Sequence, residues 1–366
     1  MPDQPFFDPG AGGQTASRAL LSAKSMELVD GAVIDLLTSH VNGLVRAACW
    51  EELDALRHAC RRSSERGKQL WAVAAYIEYR LCLEAPGPWA AQVLETASGR
   101  FALGPLPEVA ASRHSWDELA PHLHPTPQAA MVAHERALRG EDLTQDPLAR
   151  TLPELLDLPL RGEPWEPAYA LARYDVDKVE VPEPPMPRLR PLPATSRPGL
   201  GRPVPGGTAR LPPSSLGPDD VSTALEDLAV TWASESNGRV ESVAVGGAAL
   251  DAISALGAKP REMVELSPEM ALAVMAWTAA SGGAHGRRRG AAPGRFGAWA
   301  VLAALAGVPE HWAGHAARLA DAATSASWYA WGSGEPVTGW SLHLAVEAGR
   351  GPKRGRSYVV SALDAF

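Results

Sequence analysis

From about Met26 to Leu158 apolar residues recur at helical spacing. Leu53, Leu56 and Cys60 form one stripe, and Leu70, Val73, Ala74, Ile77 and Leu81 form a second. The second stripe stops at Pro86-Gly87-Pro88, because proline lacks the amide that a continuing helix requires. Ser115 with Glu118 reads as a capping box, and Thr126-Pro127 opens a helix that Gly140 closes. The pattern predicts short antiparallel helices in an array or bundle, without the fixed-period consensus of a common repeat family.

Beyond Asp219 the period changes. Val221, Ala224, Leu225, Leu228 and Trp232 share one helical face, and Asn237-Gly238 stops that helix. Val240 to Val245 reads as a strand, Gly246-Gly247 as a tight turn, and Ala248 to Leu256 as a helix closed by Gly257. Ser267-Pro268-Glu269 combines an N-cap hydroxyl, a pre-set φ and a carboxylate at the positive helix end. The segments Met270 to Thr278 and Phe296 to Ala306 carry almost no polar face, which predicts two buried core helices. Strands are predicted at Ser327 to Trp331, Trp340 to Val346 and Ser357 to Ala362. In the middle one Leu342, Leu344 and Val346 alternate with Ser341, His343 and Ala345. An antiparallel meander with helices on one face follows, an α+β domain.

Between these halves, residues 181–218 hold twelve prolines and five glycines and few apolar side chains, so they predict an extended spacer. The expected organisation is a disordered start over 1–18, an α-helical domain over 19–180, a Pro-rich basic linker over 181–218, and an α+β domain with a small antiparallel sheet over 219–366. Length supports two cores, since 366 residues exceed the usual single-core size.

Charge is uneven. Lys and Arg number 17 against 26 Asp and Glu in residues 1–180, 5 against 1 in the linker, and 12 against 15 thereafter. An acidic first half disfavours broad contact with a phosphate backbone, so nucleic acid is expected at most at local basic loops. No apolar run is long enough for a membrane span, and Met1 to Gly13 lacks the order of a secretory signal; a cytoplasmic protein with no membrane partner is expected.

Candidate chemistry is concentrated between the two apolar helices. The stretch Gly282 to Arg295 carries five glycines and four arginines just ahead of a helix start. Freed amides, positive charge and a helix N-terminus are the ingredients of an anion site, formed by His285, Arg287, Arg288, Arg289 and Arg295. The spacing is not that of a P-loop, and the plain alternative is solvated or locally paired arginines. A second basic turn holds Arg350, Lys353, Arg354 and Arg356; if both loops emerge at one end of the domain, eight basic side chains converge there. Val243 to Gly247 lacks a full GxGxxG, His311 and His315 lack the glutamate of HExxH, and His122 and His124 have no acidic neighbour in sequence. The three cysteines form no CxxC pair, so neither a disulfide framework nor a zinc site is expected, and no metal or cofactor is implied. Trp328 and Trp340 are placed to pair across a hairpin, with Trp331 of opposite parity.

The segments Gly282 to Trp299, Trp328-Tyr329-Ala330-Trp331 and Gly339 to Val346 resemble the C-terminal region of an uncharacterised family of high-GC bacteria, over roughly residues 220–366. The resemblance implies no activity. The composition and linker favour an interaction or adaptor protein, whose helical domain docks a protein partner while the Arg/Gly-rich loops meet an anionic, phosphate-bearing ligand or partner. The alternative is an enzyme on a phosphorylated or nucleotide substrate, with the 282–295 loop as a phosphate clamp and His285 as acid or base.

Overall fold

The structure, a computed structural model, describes residues 9–96, 103–152, 156–183, 185–192, 219–334 and 338–365. The chain forms two compact units, Met1–Gln128 with Tyr174–Val179, and Ala129–Arg173 with Glu180–Phe366.

The first unit is helical: α1 (Pro9–Gly31), α2 (Ile34–Arg46), α3 (Trp50–Glu65), α4 (Trp71–Glu84), α5 (Gly87–Thr96), α6 (Leu106–Arg113) and α7 (Trp116–Leu119). Both predicted stripes are its core, with Leu53, Leu56 and Cys60 of α3 and Val73, Ala74, Ile77 and Leu81 of α4 all buried. Helix α4 touches α2, α3, α5 and α6, and it buries charge as well as apolar surface. Its Glu78 is met by Arg61 at 2.5 Å, while Arg57, fully buried, is held by Asp54 at 2.7 Å and by the Thr96 hydroxyl at 3.0 Å. Charges at such depth are tolerable only when paired in this way. Cys60 lies in the core, where burial pushes its thiol up to about 12, whereas Cys49 is a half-buried N-cap; the two do not share a buried face, and all three thiols are free. Residues 1–8 lie outside the described residues, and α1 starts at Pro9, which suits a first helical turn.

The second unit is built on a six-stranded antiparallel sheet of order β3-β5-β6-β7-β8-β4. Preceded by the short β1 (Arg173–Tyr174) and β2 (Val179–Glu180), its strands are β3 (Arg190–Pro191), β4 (Arg239–Gly246), β5 (Glu262–Leu266), β6 (Ser327–Gly332), β7 (Trp340–Glu347) and β8 (Arg356–Asp364). One face carries Leu342, Leu344, Val346, Tyr358 and Val360 into a core shared with α9 (Asp220–Asp227), α12 (Pro268–Ser281), α13 (Ala291–Ala306) and α14 (Ala316–Ser325). Helix α10 (Val230–Glu235) follows α9 after a break near Leu228, so the predicted single helix is two. The two apolar helices pack closely: a Cβ on Gly294 would lie 2.4 Å from the Ala276 carbonyl oxygen, so only glycine lets α13 approach α12 here.

Helices were expected on one face only, and this is corrected. Helix α11 (Ala249–Ala255) covers the opposite face, where Ala249, Ala252 and Ile253 meet Val245, Ala345, Val359 and Trp331. The strands are apolar on both sides around Ala345 and Val359, and both sides are accordingly covered. Trp328 and Trp331 do lie on opposite faces, as their parity requires. Trp340, however, packs with Trp277 and Trp232 at ring-centroid distances of 4.9 and 6.2 Å, and Trp328 stands across from Val346.

Residues 129–173, assigned from sequence to the helical domain, group with the second unit. Leu156 and Leu158 are buried in its core, Met131, Leu138 and Trp165 pack on it, and α8 (Pro127–Leu138) is the element that leads in. The Pro-rich segment is likewise not a free spacer over its described part. The Pro182 carbonyl accepts the Trp277 indole N–H at 2.9 Å, β3 pairs with β5, and Leu189 packs on the core. β3 tolerates Pro191 because it is an edge strand. The rest of the expected linker, 193–218, lies outside the described residues.

Candidate functional site

Helix α12 runs to Ser281 and α13 starts at Ala291, so the glycine and arginine loop is Gly282 to Gly290, and Arg295 belongs to a helix. Gly282 and Gly283 hold φ of +75° and +94°, conformations that side chains avoid. The exposed amides do meet an anion, and it is the chain's own. Ala284 N–H donates to the Asp364 carboxylate, the Ser236 hydroxyl donates to the other oxygen at 3.0 Å, and His285 N–H donates to that hydroxyl at 3.1 Å. Asp364 is 1% exposed.

The N-terminus of α13 is occupied in the same manner, since Ala292 N–H donates to buried Glu135 at 2.7 Å. Arg295, expected in the clamp, is fully buried: its Nε and one terminal nitrogen grip Glu166 at 2.7 Å each, and its remaining donors reach the Pro159 and Arg161 carbonyls at 2.8 Å. Its place in a surface anion site is therefore corrected. The bidentate fork matches a carboxylate, and one was supplied internally from 129 residues away. His285, Arg287 and Arg289 are exposed and Arg288 is half-buried.

The second loop also meets internal acids. Lys353 and Arg356 reach Asp219, the N-cap of α9, at 3.0 and 2.9 Å, and Arg350 stands 3.3 Å from Asp321; Arg354 is exposed. Burial alone would raise the Asp219 pKa, but the Val221 amide and the Lys353 ammonium hold it below the usual range. The two loops do not converge. The first touches Asp364 at the end of β8 and the second precedes Arg356 at its start, so nine residues of strand, about 27 Å, separate them.

The remaining motifs resolve similarly. At the Gly246-Gly247 corner, Ala249 N–H at the start of α11 donates to Glu347 at 2.6 Å. His124 has an acidic partner after all, Glu95, at 2.5 Å, a contact made across 29 residues and invisible locally. His311 precedes a 3-10 turn that ends at His315, and among the described residues no group of three His, Cys, Asp or Glu is arranged for a metal ion. No described helix is long and apolar enough to cross a membrane.

An open surface depression lies in the first unit. The C-terminal ends of α4 and α6 and the start of α5 line an open, shallow cleft of about 700 Å³. Trp50, Leu83 and Pro86 supply apolar surface, while Glu84, Arg113 and Glu118 supply charge. Glu118 is fixed by the predicted capping box with Ser115, and His114 Nε2 reaches the Cys82 carbonyl at 3.2 Å. No sequence motif marks this cleft, since it depends on where three helix ends meet.

Buried His134 and half-buried His343 both have lowered pKa values in the second unit. Burial, then Arg295, pushes the His134 pKa down to about 3, and burial and Arg239 push His343 to about 4. Each stays neutral in the fold but takes a proton when unfolded below about pH 6.5, so stability falls as pH drops through that window. Wild-type protein is expected to lose about 2 kcal/mol through His134 between neutral pH and pH 5. Urea midpoints measured across pH 8 to 5 should show this, and His134→Gln should flatten the slope. Glu166 acts lower: burial would raise its pKa, but Arg295 outweighs that and holds it below the usual range, so its contribution disappears only at more acidic pH.

No curated protein and no solved structure matches the chain. A family model does match, over residues 37–364, and it reaches well beyond the C-terminal stretch expected from sequence to include most of both units. The chain thus belongs to DUF6183, a family of unknown function.

Proposed function

We propose that this chain is a non-enzymatic interaction protein with two contact surfaces. The cleft between α4, α5 and α6 receives a segment of a protein partner, and the exposed basic side chains of the 282–290 loop meet an anionic group on a partner. The observation that carries the reading is the internal use of the loop's recognition groups. Asp364, Glu135 and Glu166 take the amides, the helix end and Arg295, so what the loop turns to solvent is Arg287, Arg289 and His285 rather than a phosphate cradle. Exposed guanidinium groups of this kind steer and orient partners more than they generate tight binding.

The test compares proteins recovered by wild-type bait with those recovered by Trp50→Ala/Arg113→Glu and by Arg287→Glu/Arg289→Glu baits. Selective loss of a shared partner from either variant supports the corresponding surface. Identical recovery across all three baits refutes the proposal, and tight, saturable binding of inorganic pyrophosphate abolished by the loop variant would favour the enzyme reading instead.

A further inference from the structure

The chain has two asparagines, Asn42 and Asn237, and each is followed by glycine. An asparagine in that setting can lose its side-chain amide without an enzyme, because the next backbone nitrogen attacks Cγ and glycine has no side chain to oppose the approach. The fold treats the two pairs differently. Asn42 lies within α2, where Gly43 belongs to the helical hydrogen-bond ladder, and its Oδ1 accepts from the Tyr76 hydroxyl at 2.9 Å and from Arg80. Asn237 lies past the end of α10 and is exposed. The Gly238 N–H donates to the Trp232 carbonyl at 2.9 Å, a bond at a helix end, where opening costs least.

We propose that Asn237 is a site of spontaneous deamidation, from which the fold protects Asn42. When the end of α10 frays, the freed Gly238 nitrogen gives up its proton and bonds to Cγ of Asn237; the Cγ–Nδ2 bond breaks, and the nitrogen leaves as ammonia. Water then opens the succinimide at either carbonyl, giving aspartate or isoaspartate. Asn42 is held back because its helical turn and the bonds from Tyr76 and Arg80 would have to open together. Conversion at Asn237 has a consequence nearby. The Ser236 hydroxyl donates to buried Asp364, which also receives the Ala284 N–H. A new carboxylate beside Ser236 repels Asp364, and isoaspartate adds a methylene to the backbone there, so the attachment of the 282–290 loop loosens.

The full chain is incubated at mildly alkaline pH, folded in buffer and unfolded in urea, and conversion at each asparagine is read by peptide mass spectrometry. In urea the two should convert at similar rates. In the folded chain Asn237 is expected to convert about tenfold faster than Asn42, or more, and hydrogen exchange at the Ala284 amide should quicken as conversion proceeds. Asn237→Gln, incubated alongside, should show neither change. Comparable conversion of the two asparagines in the folded chain overturns the proposal, as does a folded chain in which Asn42 reacts first or Asn237 does not react. Unchanged Ala284 exchange in fully converted protein overturns the effect on the loop.

Discussion

Replacing Arg295 by methionine is expected to destabilise the second unit by about 3–5 kcal/mol, more than most single substitutions do. The cause is what remains behind. Glu166, with its side chain 2% exposed, would keep its charge but lose both guanidinium bonds; the Trp299 indole at 2.6 Å and the Tyr169 hydroxyl at 2.8 Å are neutral donors and cannot replace a counter-charge. Protonating Glu166 relieves this, so the variant should regain part of its stability as pH falls, opposite in sign to the wild type. Arg295→Met/Glu166→Met removes both charges and should recover most of the loss, because an apolar pair of similar volume often matches a buried ion pair. Urea unfolding followed by tryptophan fluorescence reports the difference. A single variant within about 1 kcal/mol of wild type would show that the pair contributes little.

Elements with local signals were legible. Ser267 caps α12 as expected, Ser115 and Glu118 form the capping box, and the three C-terminal strands fall within two residues of their predicted ends. β5 was missed because Glu262 to Leu266 is five residues of mixed polarity between Pro260 and Pro268, too short to show a period. The internal partners of the candidate site are illegible for a different reason. The sequence places glycines, a helix start and arginines side by side, but the carboxylates that meet the α13 N-terminus, Arg295 and the Ala284 amide, Glu135, Glu166 and Asp364, stand 157, 129 and 80 residues away. Short-range pattern shows that a donor needs an acceptor; it does not show whether the fold already contains one. Proline content likewise hides local structure in the described residues 182–183 and 185–192, where an edge strand and a backbone acceptor use residues that lack donors without penalty.

The same long-range economy makes the apparent domain boundary a poor place to cut. A polypeptide starting at Asp219 keeps all of β4 to β8 and α9 to α14, yet it loses Glu135, Glu166, Leu156, Leu158 and β3. Ala292 N–H would then have no Glu135, and Arg295 would be a buried cation with neither carboxylate nor the Pro159 and Arg161 carbonyls. Trp299 would lose its indole acceptor and its contact with Trp165 at 5.2 Å, opening the wall of the core beside α13. Such a fragment is expected to lack cooperative unfolding and dispersed amide resonances, whereas a fragment starting at Ala129 should show both. A well-dispersed spectrum and a sigmoidal urea transition from the shorter fragment would mean that the sheet and its helices carry their own stability, and that residues 129–173 are an accessory layer, not a part of the core.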